Sequence, residues 1–238
     1  MSTLDIARLS QKILSELKVE TWFENETTST NSIAKEQAAQ LSVPLKVYLT
    51  NHQSAGRGRN ENTWTDLGSG SVFLSSWSFS FRRSPQPILA PLVGLSLYRN
   101  LAKAFGDLSL SLKAPNDILL GNNKLCGILI ENILNGANGR CIIGIGLNVL
   151  SSPQELNATH LAEHTDVTEA RWRGFIAGLS TDLAACIVSS ESDELTPKAC
   201  LELTQALQKN PFLDEPLEKV SPKGSLVFKN RTIDWQML

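Results

Sequence analysis

The spacing of apolar residues changes several times along the chain, and each change marks an element. In residues 4–18, Leu4, Ile6, Leu9, Ile13, Leu14 and Leu17 recur near helical spacing, with Lys12, Glu16 and Lys18 set away from them. That pattern predicts an amphipathic helix. The hydroxyl-rich turn Thr27-Thr28-Ser29-Thr30-Asn31 precedes a second helix over Ser32 to Ala39. Asn31 or Thr30 is its expected cap, accepting a hydrogen bond from an orphan amide. Leu45 to Leu49 predicts a strand that runs into a polar loop. Residues 71–79 alternate in part, Phe73, Ser75 and Trp77 against Val72, Leu74 and Ser76, and predict another strand. Ile88, Leu92, Leu95, Leu101 and Phe105 give a helix over 88–105, followed by a short strand over 108–113 before Pro115. Two long apolar runs, Cys126 to Leu134 and Arg140 to Leu150, read as strands joined by a turn at Asn135 to Gly139. Residues 168–189 and 197–209 read as helices, and 225–238 as one or two strands.

Hairpin-paired strands interrupted by helices predict an α+β protein, a mixed β-sheet flanked by helices. The pattern shows no internal repeat and no linker before about residue 210. The expected division is residues 1–210 and a short C-terminal segment, 211–238.

Composition narrows the function classes. The 238 residues are 42% hydrophobic and 19% charged, enough apolar surface for a packed core. The 22 basic and 24 acidic residues give a net charge of -2. That is no electrostatic footprint for a phosphate backbone, so DNA is not an expected partner. No apolar run reaches the ~18 residues of a membrane helix. Leu125 to Leu134 is broken by Gly127, Glu131 and Asn132. The first residues lack a basic stretch followed by an apolar block, so a cytoplasmic protein is expected. Cys126, Cys141, Cys186 and Cys200 lie far apart with no CxxC pair, which predicts reduced thiols rather than a zinc site.

Four short motifs could carry chemistry. Gly56-Arg57-Gly58-Arg59, with Trp64 after it, combines close backbone approach, two guanidinium forks for an anion and a flat ring for a heterocycle. Lys113-Ala114-Pro115-Asn116-Asp117 follows an apolar strand, and its stiff turn projects charged and amide groups at the strand end. Lys124-Leu125-Cys126-Gly127-Ile128-Leu129-Ile130-Glu131 puts a lysine at the mouth of a strand that has a glycine inside it. Gly144-Ile145-Gly146-Leu147-Asn148 leaves room against the sheet and ends on an amide. Taken singly, each reads as readily as a solvated turn or as tight strand packing.

Their order and spacing are specific. STN, QSAGRGR with its Trp, KAPND, KLCGILIE and GIGLN together resemble the catalytic domain of the biotin protein ligases, from about Ser29 to Asn148 and more loosely to residue 210. The resemblance implies the biotin/lipoate ligase fold, related to class II aminoacyl-tRNA synthetases. It also implies an activity: biotin and ATP give biotinyl-5′-adenylate and pyrophosphate, and the acyl group passes to a lysine of a biotin carboxyl carrier protein.

By the same resemblance, Ser29, Thr30, Asn31 and Gln53 lie near the ureido ring of biotin. Gly56, Arg57 and Arg59 belong to a loop that folds over biotin and the adenylate. Lys124 contacts the biotin carboxylate and the phosphate, and Gly127, Leu129 and Gly144 form the apolar floor. Trp64 and Asn148 lie on the adenine side, where Arg59, Lys113 and Asn116 complete the ATP set. Lys124, Arg59 and Asp117 are the expected catalytic residues, with Asp117 beside the incoming amine and a Mg²⁺. A carboxylate attacking an α-phosphate needs charge neutralisation more than an acid or a base, and fixed cations suit that need.

The sequence departs from the family pattern in places. GRGRNENTW stands where GRGRRGRxW is usual, so Asn60, Glu61 and Asn62 replace two basic residues and a glycine, and weaker ATP binding is expected. Ala114 replaces a Trp, and the segment after residue 210 is about half the usual length of an SH3-like domain. No winged helix is expected, and with it no repressor role. Two alternatives stay open: a lipoate or octanoate ligase or transferase on the same fold, and a paralogue that binds biotin without transferring it.

Overall fold

The structure, a computed structural model, describes residues 4–60, 62–106, 108–135, 138–153 and 156–238. In chain order the elements are α1 (Ile6–Glu16), β1 (Glu20–Thr27), α2 (Thr30–Gln37), β2 (Leu45–Gln53), β3 (Val72–Phe81), α3 (Leu89–Phe105), β4 (Leu110–Lys113), β5 (Asp117–Leu120), β6 (Asn123–Asn135), β7 (Asn138–Asn148), α4 (Glu169–Ser189), α5 (Pro197–Gln208), β8 (Leu217–Val220), β9 (Leu226–Phe228) and β10 (Thr232–Ile233). The first seven strands form one sheet in the order β1-β2-β3-β7-β6-β5-β4. Its β1–β2 pair is parallel and the others are antiparallel, the mixed α+β sheet that the pattern predicted.

The period of two along the strands sorts side chains to the two faces. Val47 and Leu49 of β2 enter the main core with Ile6, Ile13 and Leu14 of α1. Tyr48 between them points the other way and packs with Ala34 of α2 and Ile142 of β7. Trp172 and Phe175 of α4 meet Phe73 of β3 edge-on, with ring centroids 5.3 and 6.4 Å apart. Each fully buried side chain of this size stabilises the fold by roughly 1.5–3 kcal/mol. The faces are therefore unequal. One carries α1, α3 and α4 over a thick apolar layer, and the other is left mostly to α2 and to the loops.

Helix starts follow capping chemistry. Asp5 accepts from the Arg8 amide at 2.9 Å, and Thr196, followed by Pro197 in the first turn, accepts from Ala199 at 3.2 Å. The start of α2 differs from expectation. Its cap residue is Ser29, in extended geometry and without a side-chain cap bond, while Thr30 and Asn31 lie inside the first turn. Their side chains turn to the sheet instead, which is what makes them available to the site.

Three strands escaped the hydrophobic pattern, β1, β5 and the short β8, whose two middle residues are exposed between buried Leu217 and Val220. Strand β1, Glu-Thr-Trp-Phe-Glu-Asn-Glu-Thr, is an edge strand whose side chains are half-buried or exposed, so it shows no clean alternation. Strand β5 is only four residues, held between β4 and β6. The expected hairpin turn is shorter than Asn135 to Gly139, because β6 and β7 pair as far as Asn135 and Asn138. Gly136 and Ala137 between them lie outside the described residues.

The C-terminal strands form a separate antiparallel sheet, β10-β9-β8. Its Leu217, Val220, Leu226 and Phe228 join the main core, and the Val220 amide donates to Thr204 of α5 at 2.8 Å. Beyond it, the Trp235 indole nitrogen donates to the Pro115 carbonyl at 2.8 Å. The end of the chain thereby returns to the turn before β5. Among the described residues, no helix is long and apolar enough to cross a membrane.

Candidate active site

The site lies on the thinly covered face of the sheet, beside α2. On β6, Gly127, Leu129 and Glu131 share that face, and β7 sets Gly146 opposite Gly127 and Gly144 opposite Leu129. A cavity of about 250 Å³ opens above them. It gathers Ser29, Thr30, Asn31 and Gln53 at one end, and Asn116, Asp117 and Lys124 at the other. Arg57, Arg59 and Trp64 form its roof.

The polar end is a closed network. Gln53 Oε1 accepts from the Thr30 amide at 2.8 Å and from its hydroxyl at 3.2 Å. The Ser76 hydroxyl of β3 reaches Thr30 Oγ1 at 2.7 Å and also Asn31 Oδ1. Asn31 Nδ2 donates to Glu131 Oε2 at 3.0 Å. Thr30, Asn31 and Ser76 are all buried, so these bonds fix their orientation in a low dielectric. Gly144 lines the cavity and also makes room for Asn31. A Cβ there would collide with the Asn31 side chain, so the glycine is what lets Asn31 sit against β7.

The indole of Trp64 occupies the bare patch made by the paired glycines. A Cβ on Gly127 would lie 2.8 Å from Trp64 Cζ3, and one on Gly146 would lie 2.5 Å from Cε2. Trp64 Nε1 is buried without a hydrogen-bond partner. Lys124 Nζ sits 5.6 Å from the Trp64 ring centroid and 2.7 Å from Asp117 Oδ1. Asn116 is clipped to β6: its Nδ2 donates to the Ile128 carbonyl at 3.1 Å, and its own carbonyl accepts from the Ile128 amide at 2.8 Å.

The glycine-arginine loop is a small hairpin. The Trp64 amide donates to the Gly56 carbonyl at 2.9 Å, Gly58 to Asn62 at 2.7 Å, and Asn62 to Arg59 at 3.0 Å. Asn60 supplies the left-handed residue, with φ 51. Gly56 is packed beneath the Trp64 carbonyl and is not part of the lining. The sequence offered no partner for either arginine, and the fold supplies both. Arg57 makes two bonds of 3.0 Å to Glu131, and Arg59 Nη1 donates to the Leu238 carbonyl at 3.4 Å. Glu61 lies outside the described residues.

Two expected residues lie away from the cavity. Lys113 is exposed at the end of β4, with its Nζ 5.6 Å from the Phe212 ring centroid. Asn148 is buried at the end of β7 and donates to the Thr159 carbonyl at 3.1 Å. It ties down the segment after the strand and does not face the site.

Four residues were missed by sequence reasoning. Gly146 and Glu131 were legible in principle, since a period of two places them on the face of Gly144 and Leu129, whereas no residue of β3 had been chosen to point to Ser76. Asp66 carried no signal. Its carboxylate accepts from His52 Nδ1 at 2.8 Å, the Gln53 amide at 3.1 Å and the Gly68 amide at 2.8 Å, and so holds Gln53 from behind.

The ionisations follow from these contacts. The hydrogen bond to Asp66 raises His52 above its ordinary value, against a smaller opposing effect of burial. Burial pushes Glu131 up, but bonds from Lys35, Asn31 and Arg57 together outweigh it and hold the carboxyl below the usual range. Burial also pushes the Cys126 thiol far up, which leaves it inert beside the site. Among the described residues, no cluster of three or more His, Cys, Asp or Glu could hold a metal ion.

Comparison with known proteins extends this geometry. The biotin–[acetyl-CoA-carboxylase] ligase of Mycobacterium tuberculosis is 31% identical over 140 residues, covering 56% of this chain and 50% of the relative. The enzyme of that name from Paracoccus denitrificans is 33% identical over 132 residues, 53% of each chain. The chain thus spans about half the length of the curated relatives it matches. A biotin protein ligase from Aquifex aeolicus, solved in complex with biotin and ATP, superposes with a TM-score of 0.65 at 23% identity, over 90% of this chain and 94% of that one. At that identity the likeness shows the fold. A biotin protein ligase-like protein from Silicibacter shares it at 10% identity and a TM-score of 0.63. The sequence model of one family matches residues 23–148, the stretch that holds α2, the glycine-arginine loop and the strands beneath them, and the chain belongs to that family, the biotin/lipoate A/B protein ligases.

Proposed function

We propose that this chain is an ATP-dependent biotin protein ligase that forms biotinyl-5′-adenylate and transfers biotin to a lysine of a biotin carboxyl carrier protein. One observation carries the reading: a closed amide-and-hydroxyl network and the Lys124–Asp117 pair face each other across a single cavity. The names of the relatives and the biotin and ATP of the Aquifex complex support it.

A cyclic urea has N–H and C=O groups to satisfy at once, and Ser29, Thr30, Asn31 and Gln53 offer both donors and acceptors. A linear acyl chain needs no such end, which favours biotin over lipoate or octanoate. Leu129 supplies the apolar wall for the ring. At the other end, Lys124 and Arg59 provide positive charge where the biotin carboxylate meets the α-phosphate. The carboxylate oxygen attacks phosphorus and pyrophosphate leaves, so the site needs fixed cations. Trp64, over Gly127 and Gly146, offers its face to the purine. Lys113 and Asn148 do not line the cavity and have no part in the proposal.

In the second step a neutral lysine amine attacks the acyl carbonyl and AMP leaves. Asp117 orients that amine and draws its proton. Asp117 is a lone carboxylate already shared with Lys124. Such a donor fits a magnesium ion carried in on a triphosphate, since Mg²⁺ is usually held by one or two carboxylates plus phosphate oxygens. The ion would supply charge neutralisation on the phosphates. Residues 1–210 are the proposed catalytic unit, with 211–238 as a short segment packed against it.

The test is pyrophosphate release on adding biotin and ATP, with lipoate as the control acid. With ATP present, release on adding biotin and none on adding lipoate is expected. Release with lipoate but not with biotin assigns the acyl-chain reading. Biotin binding by calorimetry with no release assigns a paralogue that binds without transferring.

A further inference from the structure

Glu131 has no role in the chemistry above, yet it ties together the loop, α2 and the floor of the cavity. Its two oxygens take both Arg57 Nη atoms at 3.0 Å, a fork-to-carboxylate match that fixes orientation as well as distance. The same carboxylate takes Lys35 Nζ of α2 at 2.9 Å and Asn31 Nδ2 at 3.0 Å. Its side chain is 18% exposed against 40% for Arg57, so the anchored end of the pair is the sheet and the movable end is the loop. Among the described residues, this is the salt bridge that joins the loop to the sheet.

We propose that Glu131 is the latch of the Gly56–Trp64 loop and couples the loop's closed position to the floor of the cavity. It is a positioning residue, acting through Arg57 on one side and Asn31 on the other. The coupling has a definite geometry. By accepting from Asn31 Nδ2, the carboxylate fixes the amide so that Oδ1 faces Ser76, and Ser76 in turn reaches Thr30, which holds Gln53. Loss of the carboxylate frees Arg57, so the loop opens, and it leaves Asn31 Nδ2 with only its longer bond of 3.4 Å to the Leu129 carbonyl, so the floor is held less firmly. A ligand that braces Asn31 holds the carboxylate in place for Arg57, and the loop closes more firmly over an occupied floor.

The latch is independent of what the enzyme does. Its consequence for the reaction rests on the ligase reading. An open loop lets water reach the acyl carbonyl of the mixed anhydride, and hydrolysis returns biotin and AMP in place of a transferred acyl group.

Hydrogen exchange of residues 54–60 in the ligand-free protein tests the latch directly, in the wild type, Glu131→Gln, Arg57→Met and the double variant. Each single variant is expected to speed exchange in the loop by about tenfold or more, the scale of a hydrogen bond to a charged group. The double variant is expected to add nothing, because both changes break one contact. Exchange in α3 and α4 is expected to stay unchanged, which separates a local opening from a failed fold. Unchanged loop exchange in either single variant, or additive effects in the double, overturns the latch. A second readout is AMP formed from biotin and ATP without carrier, which is expected to rise in Glu131→Gln. If the exchange result holds but even the wild type forms no adenylate, the latch stands and the ligase reading falls.

Discussion

At the scale of single residues, the site is decided by which polar groups already have partners. Lys124 is poised between Asp117 and the Trp64 ring, at the end of the cavity opposite the amide-and-hydroxyl network. Lys124→Ala is expected to cut biotin-dependent pyrophosphate release about 10- to 100-fold, from a charged hydrogen bond of ~1.5–3 kcal/mol, with an unchanged circular dichroism spectrum. Asn62, on the rim, stands where a basic residue would reach a triphosphate. Asn62→Arg is expected to tighten ATP about tenfold, or ~1.4 kcal/mol, measured by calorimetry. His52 sets a pH dependence. Its folded value is raised by Asp66, so the pair's contribution to stability is whole below the unfolded value of 6.5 and is lost as pH rises through the folded value. Between about pH 6 and pH 8, the free energy of urea unfolding is expected to fall more in the wild type than in His52→Gln. None of these partners follows from sequence. The motif named Lys124 and Asn62, but Asp66 became visible only when the loop placed it behind Gln53.

At the scale of elements, two paired strands with glycines in register create the seat for an aromatic ring. Gly146→Val forces a branched side chain into the space of the Trp64 indole. The displaced group belongs to a loop and not to the core, so the thermal midpoint is expected to move little. Nucleotide affinity is expected to fall about tenfold or more (~1.4 kcal/mol), as read by calorimetry. The glycines were legible as places of close approach, because an interior strand glycine gives up packing for room. What would fill that room was not legible. The resemblance implied a floor for a ligand ring at Gly127 and Gly144, and both line the cavity, with Trp64 and Asn31 packed against them. The start of α2 tells the same story: Thr30 and Asn31 suit a cap by type, but Ser29 holds the extended position.

At the scale of the whole molecule, the C-terminal sheet and the turn before β5 belong to one structure. Trp235 is buried in the main core and bonds the Pro115 carbonyl. Trp235→Ala is expected to cost about 3–5 kcal/mol in denaturant unfolding, the range for truncating a large buried aromatic. By itself the sequence determined the α+β class, the five helices and the long central strands, because their apolar residues repeat at 3.6 or at 2 and burial rewards that repeat wherever the chain folds. It also determined the family, because five motifs kept their order and spacing. Tertiary structure decided the rest: the polar edge strand β1, the partners of Arg57 and Arg59, the placement of Lys113 and Asn148 outside the cavity lining, and the return of residue 235 to residue 115. The reason is physical. Periodicity records only how each residue stands relative to its own element, while an ion pair or a seat for a ring depends on two segments brought together from far apart in the chain.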